Sequence, residues 1–108
     1  MAAMYQQVRQ FPGTRDQLIQ ASQEAARRSG FKIRRADPAA GRVEARVRFS
    51  FWSYGENVSI QVTEGGNWVV VSSECSSPFQ RADWGKNERN VTRFFEQLST
   101  LLLGGKEW

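Results

Sequence analysis

The chain has 108 residues, 40% of them apolar and 24% charged, with fifteen Lys/Arg against eleven Asp/Glu. That is the length and composition of one ordinary globular domain, able to bury a core without disulfide or metal staples. There is no histidine and only one cysteine, Cys75, which excludes a Ser-His-Asp triad, a Cys-His dyad, an internal disulfide and the usual zinc sites.

The opening MAAMYQQVRQF holds no apolar run of signal-peptide length, and no stretch approaches membrane-spanning length. A soluble, cytoplasmic protein without cofactor, metal or membrane contact is expected. Residues 4–11 read as a strand of poor alternation, suited to an edge or a half-covered position.

Thr14 to Ser29 reads as a helix. Thr14 and Gln17 have capping-box spacing, and Leu18, Ile19, Ala21, Ala25 and Ala26 make a narrow apolar stripe. Arg27 and Arg28 suit the negative end of the helix dipole. Gly30 fits the left-handed stop, and Phe31 packs back on the last turn.

FKIRRAD and GRVEARVRFSF read as a hairpin across Asp37-Pro38 and Gly41. In the second arm Val43, Ala45, Val47, Phe49 and Phe51 alternate with Arg42, Glu44, Arg46, Arg48 and Ser50, the pattern of a half-buried strand. Residues 57–63 repeat it, with Val58, Ile60 and Val62 inward. Glu64 to Asn67 is a tight turn. Residues 68–75, WVVVSSEC, form the last strand, with Val69, Val71 and Cys75 on the core side.

The closing helix runs from about Glu88 to Leu103. Val91, Phe94, Phe95, Leu98, Leu101 and Leu102 fall on one face at spacings of three and four. Asn87 is read as its N-cap, with Glu88 in the first turn. The expected fold is one α+β domain over 1–108, β-α-β-β-β-β-α, an antiparallel sheet with two helices packed on one face.

Ahead of that helix stands Asp83-x-Gly85-x-Asn87-x-Arg89, after a serine-rich strand end. With the helix stop at Gly30, the Asp37-Pro38 turn and the Gly41-Arg42-Val43-Glu44-Ala45 strand start, this resembles a bacterial family of domains of unknown function. Two departures stand out: Asn90 where that family often has a second arginine, and Gln80-Arg81-Ala82 where it tends to have a glycine. The resemblance implies a TATA-binding-protein-like or helix-grip type of fold and carries no activity. The local account of the motif is structural. Asp83 and Gly85 make a turn, Asn87 caps, and Arg89 reaches back to Asp83 or joins Lys86 near an anion at the helix start.

The candidate binding surface is the polar side of the sheet. Charge is uneven: residues 1–48 hold ten Lys/Arg against four Asp/Glu, whereas residues 49–108 hold five against seven. Lys32, Arg34, Arg46 and Arg48 are the candidate contacts, with an aromatic rim of Trp52, Tyr54 and Trp68. The same arginines also suit a solvated strand face whose long stems cover the sheet. Their expected register sets Arg34 opposite Glu44, an opposite-charge pair, and Lys32 opposite Arg46, a like-charge pair that something anionic relieves. An RNA-recognition platform is disfavoured, because Phe49 and Phe51 share the core side with Val47. Glu74 and Cys75 among serines lack a histidine to activate them, so Cys75 reads as a buried structural thiol. The sequence is therefore read as a non-enzymatic module that binds another protein or a second copy of itself. Nucleic acid or another polyanion is the alternative.

Overall fold

A computed structural model describes residues 4–47, 55–65, 67–75 and 85–104. The elements are β1 (Met4–Gln10), α1 (Arg15–Arg28), β2 (Lys32–Asp37), β3 (Arg42–Val47), β4 (Glu56–Val62), β5 (Trp68–Cys75) and α2 (Lys86–Leu103). The strands form one antiparallel sheet in the order β1-β5-β4-β3-β2, so β1 and β2 are its two edges. The expected β-α-β-β-β-β-α order holds, and β1 takes an edge, one of the two positions its poor alternation suits.

Sidedness of the sheet follows from period two. Val43, Ala45 and Val47 on β3, Val58, Ile60 and Val62 on β4, and Val69 and Val71 on β5 are all buried in one core with both helices. Their neighbours on the same strands point the other way, and no element covers that side among the described residues. Val47 is 3% exposed while Arg46 faces outward and is half-buried. Arg48, Phe49 and Phe51 lie outside the described residues.

The helices are held to this face by different means. α1 buries Leu18, Ile19, Ser22, Ala25 and Ala26, and its small residues allow close approach. α2 supplies bulk through Val91, Phe94, Phe95 and Leu98. Phe95 stacks on Phe11 at 6.1 Å between ring centroids, Phe31 stacks on Phe94 at 6.5 Å, and Phe94 meets Phe95 edge-on at 5.7 Å. These four rings join the ends of β1 and α1 to α2. Offset and edge-on pairs of this kind stabilise by about 0.5–1.5 kcal/mol each beyond the area they bury.

The start of α1 is built as expected. The Gln17 amide donates to Thr14 Oγ1 at 3.1 Å, and the Thr14 amide donates to Gln17 Oε1 at 2.9 Å. Thr14→Ala removes the first of these and is expected to cost about 1 kcal/mol in a denaturant titration; an unchanged midpoint would contradict the capping role.

Two expectations are corrected. First, Asn87 is not the N-cap of α2. That place falls to Gly85, at φ +76°, and the helix begins at Lys86. Asn87 lies one position inside the first turn, and its side chain points into the core. Second, β2 carries a bulge between Ile33 and Arg35. The extra residue shifts the register by one, so Arg35, not Arg34, stands opposite Glu44. Lys32 does stand opposite Arg46.

Candidate functional site

Three cross-strand rows make up the open face. The first runs Met4, Glu74, Asn57, Arg46, Lys32; the second Gln6, Ser72, Ser59, Glu44, Arg35; the third Val8, Val70, Gln61, Arg42, Asp37. Reading across the rows gives three zones. The β2–β3 side is charged, the middle is small and polar, and the β1–β5 side mixes apolar Met4, Val8 and Val70 with Gln6, Ser72 and Glu74. Among the described residues this face holds Lys32, Arg34, Arg35, Arg42 and Arg46 against Asp37, Glu44 and Glu74. The positive excess therefore belongs to one bank of the sheet, not to the whole surface.

The middle of the face is concave. A groove of about 650 Å³ runs over Asn57, Ser59 and Ser72, with Arg34, Arg35 and Glu44 on one bank and Met4 and Glu74 on the other. The bulge in β2 accounts for both arginines reaching it, because it breaks strict alternation at Arg34 and Arg35. Arg42 is committed elsewhere: its Nε donates to Gln61 Oε1 at 3.1 Å, and Gln61 Nε2 donates to the Ala40 carbonyl at 2.9 Å. That chain stiffens the turn between β2 and β3 and takes Arg42 out of the groove.

No family model and no curated protein matches this chain.

Of the expected aromatic rim, only Trp68 lies within the described residues. Trp68 is 44% exposed, but it begins β5 and faces Thr63, whereas Glu56 at the other end of β4 faces Cys75. About seven strand residues separate those two ends, roughly 23 Å. Trp68 thus lies far from Gly55, the described residue nearest in sequence to Trp52 and Tyr54, which themselves lie outside the described residues. Asp83 does too. Gly85 and Arg89 sit at the exposed start of α2, where the Arg89 amide donates to the Gly85 carbonyl at 3.0 Å.

The sequence reading overlooked a second polar feature, inside the core. Glu56, the first residue of β4, is 0% exposed. Its Oε1 accepts from Asn90 Nδ2 at 3.0 Å, and the same amide reaches Ser73 Oγ at 3.2 Å. Ser73 Oγ in turn donates to Asn87 Oδ1 at 2.8 Å, and Asn87 Nδ2 approaches Cys75 Sγ at 3.8 Å. The result is a network that starts at the Asn90 amide and donates two ways, to Glu56 directly and through Ser73 and Asn87 to Cys75, linking β5, α2 and β4. Among the described residues, Glu56 Oε2 has no hydrogen-bond partner. The arrangement positions α2 over the sheet; Cys75 is a buried free thiol within it.

Among the described residues, no group of three or more His, Cys, Asp or Glu is placed to hold a metal ion. No helix there is long and apolar enough to cross a membrane.

Proposed function

We propose that this chain is a non-enzymatic binding module that engages a protein partner across the open face of its sheet. The observation that carries this reading is the groove over Asn57, Ser59 and Ser72, with unlike banks on either side. Its small hydroxyl and amide floor lets a partner segment lie close to the strands and find hydrogen bonds along them. Arg34 and Arg35 favour a carboxylate on one side. Met4 at 59% exposure offers apolar contact on the other. A partner segment with acidic residues along one edge and apolar residues along the other complements both banks.

A polyanion is the second reading, and one observation favours it: Lys32 and Arg46 are set directly opposite each other, a repulsion that phosphates would relieve. Against it, Glu44 and Glu74 line the groove itself and would repel a phosphate backbone. The only exposed aromatic side chain on the described open face is Trp68, well away from the groove, which leaves little for base stacking. The protein partner is the better fit.

The test is affinity capture from the native host with three baits: wild type, Arg34→Glu/Arg35→Glu, and Arg27→Glu/Arg28→Glu. The last reverses the same amount of charge on α1, where both arginines pair with Glu24 on the helix surface. The expected result is that partners held by wild type are retained by the α1 variant and depleted at least tenfold by the groove variant. Equal retention by all three baits would sink the reading. Retardation of nucleic-acid probes at low salt, falling steeply as salt rises, would favour the second reading instead.

A further inference from the structure

The two edges of the sheet are built differently. β2 is guarded in the ways that edges usually are: it carries a bulge, and four of its six residues are charged, Lys32, Arg34, Arg35 and Asp37. β1 has none of these devices. It pairs with β5 over all seven residues without a register shift. It contains no proline and one charged residue, Arg9, whose guanidinium lies over the Phe95 ring at 5.0 Å, on the helix side. A long, regular, nearly neutral edge is a template for another strand.

The direction of its backbone groups can be read from the ladder. The Phe11 amide donates to the Asn67 carbonyl at 3.1 Å, continuing the β1–β5 register. Alternation then turns the amides and carbonyls of Tyr5, Gln7 and Arg9 toward β5, and those of Met4, Gln6 and Val8 away from it. Among the described residues no backbone group meets the outward set. The side chains of Met4 and Val8, 59% and 44% exposed, stand on this same strand.

We propose that β1 pairs antiparallel with β1 of a second copy of this chain, about a two-fold axis through Gln6, to give a continuous ten-stranded sheet. Outward groups meet outward groups only when Met4, Gln6 and Val8 oppose one another. Of the registers that satisfy this, the one centred on Gln6 sets Met4 of each copy against Val8 of the other. Both exposed apolar side chains are then covered by apolar partners, which no other register achieves. About six interchain hydrogen bonds form. The two Arg9 side chains stay roughly 20 Å apart along the strands. The pairing covers Met4, the apolar bank of the groove, and leaves the arginine bank untouched, so Arg34→Glu/Arg35→Glu distinguishes it from partner binding there.

Sedimentation velocity across the micromolar range tests it. Wild type is expected to be a dimer, and Gln6→Pro a monomer. The Gln6 amide lies outside the intramolecular ladder, so proline removes an interchain donor without breaking a bond to β5. Val8→Lys, which places charge on the edge, is expected to be monomeric as well. It decides the matter should Gln6→Pro lose its folded circular-dichroism spectrum. Gln6→Cys is expected to form a disulfide-linked dimer under mild oxidation, since residues in a hydrogen-bonded pair have Cα atoms ~5.5 Å apart. Wild type, with Cys75 buried, and Gln20→Cys on the exposed face of α1 are expected not to link. A wild type that sediments as a monomer throughout overturns the proposal, as does a dimer unaffected by either folded edge variant. Loss of dimer with the Arg34→Glu/Arg35→Glu variant but not with Val8→Lys would also overturn it.

Discussion

Asn90→Ala is expected to destabilise the domain by about 3 kcal/mol, a fall of roughly 10–20 °C in melting temperature for a chain of this size. The reason is the asymmetry of buried hydrogen bonds. An intact bond contributes little net stability, but a buried group left without its partner carries its full desolvation cost, about 1–3 kcal/mol and more for a charged group. Asn90 Nδ2 serves two acceptors, Glu56 Oε1 and Ser73 Oγ. Its removal leaves the Glu56 side chain, 0% exposed, with no hydrogen bond from any described residue. Ser73 retains its donation to Asn87, so the larger loss falls on Glu56. The same asymmetry predicts the second arm of a double-mutant cycle. Asn90→Leu alone is expected to cost about as much as Asn90→Ala, whereas Glu56→Met/Asn90→Leu, which removes the demand along with the donor, is expected to recover more than half of that cost. Additive losses in chemical denaturation would show that the two side chains are not coupled and would remove Glu56 from the account of how α2 is seated.

That cluster also marks where a sequence reading falls short. The apolar half of the fold is legible because periodicity carries it. Val43, Ala45 and Val47 alternate without interruption, and Val91, Phe94, Phe95 and Leu98 recur at helical spacing, so both faces could be assigned from residue type alone. The polar half obeys the same periods but hides behind its chemistry. Glu56 stands two residues before Val58 on the inward side of β4, Ser73 stands between the inward Val71 and Cys75, and Asn87 and Asn90 extend the buried stripe of α2 by one turn. Each has the position of a core residue and the composition of a surface one. A carboxylate at a strand start reads as a loop residue, and an asparagine ahead of a helix reads as a cap. Extending the period past the last apolar residue was the available signal. The bulge in β2 is a different kind of omission: the two apolar residues of Lys32 to Asp37, Ile33 and Ala36, stand three apart, which breaks period two, and pairing with β3 fixes the register. The groove inherits that gap, because the arginines that reach it are set by the bulge.

Gly41→Ala is expected to cost about 3 kcal/mol or more, against about 1 kcal/mol for Gly30→Ala, and the gap between the two is the informative quantity. Both glycines have positive φ, +69° and +84°, a conformation that costs a residue with a Cβ about 1–2 kcal/mol. They differ in their surroundings. A Cβ at Gly30 meets nothing within 4 Å, while one at Gly41 falls 2.6 Å from the Val62 carbonyl oxygen and 2.5 Å from Arg15 Nη2. The arginine can swing away. The carbonyl cannot, because it belongs to β4, and the Val62 amide donates to the Gly41 carbonyl at 2.7 Å. Relieving the contact therefore means prising the β2–β3 turn from β4, next to the point where Gln61 ties Arg42 to the Ala40 carbonyl. Thermal melts of the two single variants and of Arg15→Ala/Gly41→Ala separate the contributions. The double variant is expected to melt no higher than Gly41→Ala, since removing the flexible neighbour leaves the backbone clash in place. Recovery to the level of Gly30→Ala would show that the arginine, not the strand, enforces glycine at this position.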